Sequence, residues 1–522
     1  TYCVYISTML QRSVVHNVLK SLNRLMATRS MLVESTSHIQ TAKPFKDIPG
    51  PRGVYLWPVI GAFLHFKPFT QFTTESNHTL IAELLTKYGP LIKLRFGRLM
   101  VIVSDPKDIE TVYRNEGKYP MTASFDIEEM IVRRTSSPVK SITLAQGEDW
   151  HKLRAPINKL LMKVDSATHY LEPHNQVANK FVDILATQNL KPQELQTLFA
   201  RYAAEGAGLV VFNTRLGFLE GQLSEELSDF LDATKTLFSI LQDVILGKSV
   251  GHRWYKSKTY QDYARALGII GGSCAVHSLK AHQVLEERKR AGTLTDEEPN
   301  LLLSLLKEEN LQRADVDTML ISLYTAGAES TAKILETLFY NLAKNPETQE
   351  KLRQEIFRKL NTRDHVTATD LANLSYLKAC LKESFRLCPP VCNTMVRLLP
   401  IDVCLSGYNV PARTPIMIYP NAKCISGFQD PLTYMPERWL QNNGLAKHDP
   451  LAKIAVLPFG LGPRNCAGQR IAVQEIYLAT IKVLQKMRIE LHPESSDVEF
   501  VYRIFLQPKV PIHFKFTALQ KC

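Results

Sequence analysis

One cysteine bracketed by glycines constrains this chain more than any other feature: Pro458-Phe459-Gly460-Leu461-Gly462-Pro463-Arg464-Asn465-Cys466-Ala467-Gly468. The run from Gln469 to Ile476 that follows reads as a helix, so the sulfur lies near the positive end of a helix dipole, which favours the thiolate. An ionised sulfur is a soft ligand suited to iron. Gly460, Gly462 and Gly468 remove Cβ atoms where backbone approaches a flat group, Arg464 offers a fork for a carboxylate, and Phe459 can shield the sulfur from water. A glycine-rich turn around a structural cysteine, or a phosphate loop, leaves Phe, Arg and Cys at these spacings unexplained.

The pattern resembles the haem-binding signature of the cytochrome P450 family, the haem-thiolate monooxygenases. The resemblance implies a mainly α fold with small β-sheets, haem held by Cys466 as metal ligand, and a chain that hydroxylates a lipophilic substrate with O2. Phe459, Arg464 and Gly468 become cofactor-binding residues beside it.

Composition sets bounds on this reading. With 522 residues and 45% hydrophobic content the chain can bury a large core, and it shows no internal repeat and no long linker after Pro51. Its formal charge of +12 suits anionic partners or lipid, but Lys and Arg are spread out, with no nucleic-acid motif. Nine cysteines with no Cys-x-x-Cys pair argue against a disulfide framework and for a reducing compartment. Cys388 and Cys392 read as buried small side chains.

Residues 1–46 carry six basic residues against the single acid Glu34, many Ser and Thr, and no apolar run near eighteen residues. This composition reads as a mitochondrial transit leader rather than a membrane anchor, the alternative being a disordered tail. The turn cluster Ile48-Pro49-Gly50-Pro51-Arg52-Gly53 opens the folded body, taken as residues 47–522. Leu91–Phe96 and Leu99–Val103 flank Gly97-Arg98 as a β-hairpin, and Met121–Thr143 has no clear period and reads as a loop. Helices are expected from Gln176 to about Arg290, including Thr259–Arg290, with a turn at Gly247–Gly251. From Asp317 to Asn345, stopped by Pro346, one long apolar helix is expected, with Ala326-Gly327-Ala328-Glu329-Ser330-Thr331 at its middle. From Ile489 onward the chain alternates as terminal strands with a turn near Gln507-Pro508, and Val501–Leu506 is expected to reach the pocket.

Trp150 and Arg154 stand four apart on one helical face and can donate to one carboxylate. The resemblance assigns them, with Arg397, to a haem propionate. It makes the block around Gly327 the oxygen-activation groove, with Glu329, Ser330 and Thr331 as catalytic residues. The family usually has Thr where this chain has Ser330, so the hydroxyl role falls to Ser330 or to its neighbour Thr331. Glu383 and Arg386, three apart on the helix Leu377–Leu387, need a further partner if buried, and Pro436-Glu437-Arg438-Trp439 supplies it. In the family such residues form a structural triad, here Glu383, Arg386 and Arg438.

Within the family, a basic leader without an anchor resembles the mitochondrial branch, which receives electrons from NADPH through a ferredoxin reductase and a [2Fe-2S] ferredoxin. Lys378 and Lys382 resemble its basic ferredoxin-binding pair. The branch often adds an Arg just after the motif's last Gly; here that position is Gln469, and only Arg470 is retained. The resemblance further implies peripheral contact with the inner membrane on the matrix side and a steroid, ecdysteroid or secosteroid substrate. A microsomal enzyme fed by a flavoprotein reductase and a haem-thiolate sensor without turnover are the alternatives.

Overall fold

The computed structural model describes residues 42–519, apart from 59, 124–140, 144, 247–250, 253–254, 294–299, 362, 393–395, 421–426, 441–453 and 455–456. Residues 1–41 of the leader assigned to 1–46, most of the loop assigned to Met121–Thr143 and residues 247–250 of the expected turn therefore lie outside the described residues, whereas Lys43 bridges Tyr408 and Phe45 packs against the core. What is described is mainly helical with several small sheets.

The long helix, Arg313–Lys344 (α6, after α1 Gly147–Leu161, α2 Leu171–Thr187, α3 Pro192–Phe212, α4 Glu225–Ile245 and α5 Lys258–Arg290), has 32 residues. At 1.5 Å per residue it spans about 48 Å. It starts one turn earlier than the apolar pattern suggests because Asp315 accepts from the Gln312 backbone N–H at 3.0 Å, capping the first turn. Its N-terminal half gives Val316, Met319, Leu320, Tyr324 and Ala328 to a hydrophobic cluster shared with α1, α3, α4 and α5. The C-terminal half gives Ala332, Leu335, Leu338 and Phe339 to a second cluster, shared with α2, α7 (Pro346–Leu360), α8 (Ser375–Leu387) and α9 (Gln469–Lys486). Each such fully buried side chain contributes roughly 1.5–3 kcal/mol. The polar block Glu329-Ser330-Thr331 sits where one cluster gives way to the other.

The helix α8 opens on a buried carboxylate: Glu355 accepts from the backbone N–H groups of Tyr376 and Leu377 at 2.9–3.0 Å, an anion placed at a helix N-terminus. Its start at Ser375, two residues earlier than the apolar pattern, follows from that contact.

The largest sheet has the order β1-β2-β5-β4-β3 (β1 Leu91–Phe96, β2 Arg98–Val103, β3 Met121–Thr122, β4 Arg397–Leu398, β5 Pro415–Ile418). The hairpin β1–β2 turns on Gly97, whose φ of 61° is left-handed, and pairs Leu94 with Met100. The pairing that matters for the site is Thr122 with Arg397, which joins two segments far apart in sequence. Near the C-terminus β6 (Met487–Leu491) pairs with β9 (Phe514–Ala518), and between them lies the hairpin of β7 (Phe500–Arg503) and β8 (Phe505–Pro508). The hairpin turn is not at Gln507-Pro508, which belong to β8; it is at Ile504, with φ 66°. A β-branched residue there is disfavoured by its own sterics, so propensity points elsewhere.

Candidate active site

Gly460 and Gly462 take φ values of 68° and 79°, which only glycine adopts freely, and fold the loop so that the Cys466 N–H donates to the Phe459 carbonyl at 2.8 Å. Phe459 in turn packs edge-on against Phe385 of α8 at 5.6 Å, tying the loop to the core. A Cβ on Gly462 would lie 1.8 Å from Glu116 Oε1, so this glycine also admits a carboxylate. Beside Gly468, in contrast, a Cβ would meet nothing within 4 Å.

Burial pushes the Cys466 thiol up, while backbone N–H groups of Gly468 and Gln469 and the Arg154 guanidinium pull the other way by stabilising the thiolate. Cys466 is nonetheless exposed, unlike Cys274, Cys380 and Cys392. A side chain that water can touch, yet that protein surrounds closely enough to desolvate, faces a space inside the protein. Ala326, exposed in the middle of α6 beside buried Thr325 and Ala328, has the same character.

Three guanidinium groups converge behind the cysteine loop. Arg154 donates to the Asn465 carbonyl at 2.6 Å, Arg464 to the carbonyls of Pro120 and Ala145 at 2.7 Å each, and Arg397 to Glu116 Oε2 at 2.7 Å. The Arg464 guanidinium stands 4.5 Å over the Trp150 ring, a cation–π contact. Burial, then the charges of Arg397 and Arg154, lower the Arg464 pKa to about 9. Among the described residues Glu116 is the carboxylate that opposes this charge, and its buried Oε1 has no hydrogen-bond partner. A cluster of positive charge next to an open, thiolate-favouring sulfur fits a haem, which carries two carboxylates and an iron that takes a soft axial ligand.

Each residue expected from sequence now has a place. Trp150, Arg154, Arg397, Phe459, Arg464, Cys466 and Gly468 lie in or behind this one loop. Arg154 reaches the loop backbone and Trp150 serves as a platform for Arg464, so the two do not donate side by side in this state. At Gly327 a Cβ would lie 2.8 Å from the Ala207 Cβ of α3, so the missing side chain permits close packing of the two helices. Ser330 is half-buried, four residues from Ala326, and its hydroxyl donates to the Ala326 carbonyl at 2.7 Å. Thr331 is 2% exposed and turned into the packing. Glu329 lies 3.7 Å from Lys333, which is 4.0 Å from the buried Glu336.

Glu383 is fully buried and accepts from Arg386 at 2.8 and 2.9 Å and from Arg438 at 2.9 Å, with the Met435 N–H and Trp439 indole N–H at 2.9 and 2.8 Å. The spare guanidinium protons go to the carbonyls of Pro431, Thr433, Gln429 and Asp430. A buried ionic group needs this degree of satisfaction. On the outer face of the same helix Lys382 is exposed, while Lys378 donates to the Ala372 carbonyl at 2.7 Å. Arg470 turns inward and donates to the Met162 carbonyl at 3.2 Å.

Sequence reasoning missed Glu116, Asn465 and Lys333. Glu116 lies in the aperiodic run Asn115-Glu116-Gly117-Lys118, 281 residues from Arg397, and no local signal marks it. Lys333 was visible as an i,i+4 partner of Glu329 on an otherwise apolar helix.

Fold and loop together define a haem-thiolate enzyme, and the chain belongs to the cytochrome P450 family, whose profile matches residues 51–516. It is a monooxygenase with haem as cofactor. Among curated proteins it is similar to "Probable cytochrome P450 12e1, mitochondrial" of Drosophila melanogaster, 31% identical over 505 residues, covering 92% of this chain and 93% of that protein. It is also similar to "1,25-dihydroxyvitamin D(3) 24-hydroxylase, mitochondrial" of Mus musculus (28% identical, 90% and 88% covered) and "Probable cytochrome P450 CYP44" of Caenorhabditis elegans (28%, 93% and 98%).

Proposed function

We propose that this monooxygenase is of the mitochondrial type, works at the matrix side of the inner membrane, and hydroxylates a steroid- or secosteroid-like substrate. Its electrons come from NADPH through a ferredoxin reductase and a [2Fe-2S] ferredoxin. The observation that carries this reading is the basic pair Lys378 and Lys382 on the outer face of α8, whose inner face holds Glu383. The printed names of two relatives support it, one a mitochondrial vitamin D hydroxylase. Exposed Val54, Trp57, Ile60, Phe63 and Phe69, close together near the start of the folded body, support peripheral membrane contact. Among the described residues no helix is long and apolar enough to cross a membrane.

Haem, when bound, would supply the redox-active iron needed for monooxygenation, in which one atom of O2 enters a substrate C–H bond and the other leaves as water at the expense of two electrons and two protons. Cys466 would hold the iron through a sulfur whose charge the N–H groups of Gly468 and Gln469 stabilise. Arg154, Arg397 and Arg464 offer donors for the haem carboxylates, and Glu116 keeps Arg397 oriented until they arrive. On α6, Ser330 presents a hydroxyl on the same side as exposed Ala326, where Oγ can hold a water and pass it a proton. The neighbouring Glu329 is 3.7 Å from Lys333, whose positive charge compensates a carboxylate held in the packing.

The test is reconstitution of the purified enzyme with ferredoxin, reductase and a panel of sterols and secosteroids, with product identification. Turnover should fall at least tenfold in the Lys378→Glu/Lys382→Glu double variant and with rising salt, while substrate-binding spectra stay unchanged. Full activity of that variant, or turnover with a flavoprotein reductase alone, overturns the mitochondrial assignment.

A further inference from the structure

At the end of the molecule where β6 meets β9, three side chains outside the haem site come together. His492 follows β6, Glu494 lies in the turn Pro493–Ser495, and His513 precedes β9. The backbone holds them in place: the His492 N–H donates to the His513 carbonyl at 2.9 Å, the Ser495 N–H to the His492 carbonyl at 2.8 Å, and the His513 N–H to Ser495 Oγ at 2.9 Å. Ser495 itself is buried. The two imidazoles stack face to face, 4.3 Å between centroids and 8° between planes, and His513 Nδ1 lies 2.6 Å from Glu494 Oε1. One donor atom from each residue falls within 4.8 Å of the other two.

We propose that His492, Glu494 and His513 form a binding site for a divalent transition metal of the zinc class, which clips the base of the 493–512 segment. Two imidazole nitrogens and one carboxylate oxygen, with water as a fourth ligand, are a donor set that Zn2+ takes tetrahedrally and that oxygen-seeking Ca2+ or Mg2+ does not prefer. Bonds of about 2.0–2.1 Å put tetrahedral donors roughly 3.3 Å apart. The two rings, 8° from parallel, must turn so that their in-plane lone pairs meet at one point, and the Glu494–His513 pair, 2.6 Å apart, must open by less than about 1 Å, movements open to side chains at the surface. Ligation requires neutral imidazoles. On ligation through Nδ1, the hydrogen shared with Glu494 Oε1 passes to Nε2 of the same ring, so the imidazole stays neutral and no net proton is released.

The segment so clipped carries the β7–β8 hairpin, which is fastened at its far end by Ile504 N–H to Gln242 and Leu506 N–H to the Pro390 carbonyl. A metal at the base would stiffen both ends of that hairpin.

The test uses the full, haem-loaded chain without any affinity tag, titrated with ZnCl2 alone at pH 7.5 against a chromophoric chelator. Expected is one equivalent of Zn2+ lost in His492→Gln, in His513→Gln and in the double variant, at least tenfold weaker binding in Glu494→Gln, and a Zn2+-dependent rise in melting temperature only in the parent. The carbon monoxide difference band reports that each variant is folded. Should half-buried His513→Gln lose it, exposed His492→Gln decides. An unchanged Zn2+ stoichiometry in the His492→Gln variant, or no saturable binding in the parent, overturns the proposal.

Discussion

Replacing Glu383 by alanine removes one carboxylate on which five donors converge: two from Arg386, one from Arg438, the Met435 N–H and the Trp439 indole. Arg386 and Arg438 are 1% and 3% exposed and cannot turn to water, although each keeps backbone carbonyl partners. Breaking a buried pair by deleting one partner costs about 3–5 kcal/mol. Taking about 4 kcal/mol, at 1.4 kcal/mol per decade the folding constant drops roughly 1000-fold. That is a large fraction of a net stability of about 5–15 kcal/mol. The damage has a defined route to the cofactor, because Phe385 on the same helix packs against Phe459, whose carbonyl holds the Cys466 N–H. Guanidinium unfolding at 25 °C, followed by far-UV circular dichroism and by the carbon monoxide difference band, should show the band lost at lower denaturant than helicity. Glu383→Gln, which keeps one acceptor oxygen, should lie between, near a 2 kcal/mol loss for a charge-assisted hydrogen bond. An alanine variant within about 1 kcal/mol of the parent would show that the carbonyls alone satisfy the two arginines.

Ser330→Ala should uncouple turnover several-fold, read as NADPH consumed per product and hydrogen peroxide formed, with Thr331→Ala nearly neutral because Thr331 is packed away at 2% exposure; the reverse order moves the role to Thr331. Gly462→Ala forces a side chain into φ 79° and against Glu116 Oε1, so haem incorporation should collapse, and adding Glu116→Ala should restore part of it; no recovery in the double variant means the backbone strain dominates. Burial lowers the pKa of His65 to about 4, with its Nε2 lacking a partner. The unfolded chain takes up that proton near pH 6.5, so stability should fall as pH drops from about 6.5 to about 4, and His65→Phe should flatten the slope; an unchanged slope in denaturant midpoints assigns it to other groups such as His174.

What the sequence disclosed was whatever depends on neighbours along the chain. The cysteine loop, the Glu383–Arg386 spacing and the hairpin around Gly97 are local patterns, and they fold as local patterns. Helix α6 was legible from its apolar period and its stop at Pro346, but its start depends on the cap made by Asp315. That Gly327 also admits Ala207 of another helix could not be read from the polar block around it. Glu116 was invisible for the same cause: its meaning comes from Arg397, Arg464 and Gly462, all far along the chain. Ile504 in a left-handed turn is imposed by the register of β7 with β8 and by Gln242, against its own preference.

Because α6 belongs to both hydrophobic clusters, it acts as a linkage group in the chain's divergence. A substitution in its N-terminal half must be matched on α3, α4 or α5, and one in its C-terminal half on α2, α7 or α9. Recombination with a relative only 28–31% identical therefore disturbs least at joints that leave α6 whole and keep it with α3, whose Ala207 and Phe199 pack against its two halves. A crossover near Ala328 would hand each daughter one foreign half of a helix whose other half still answers to the old partners.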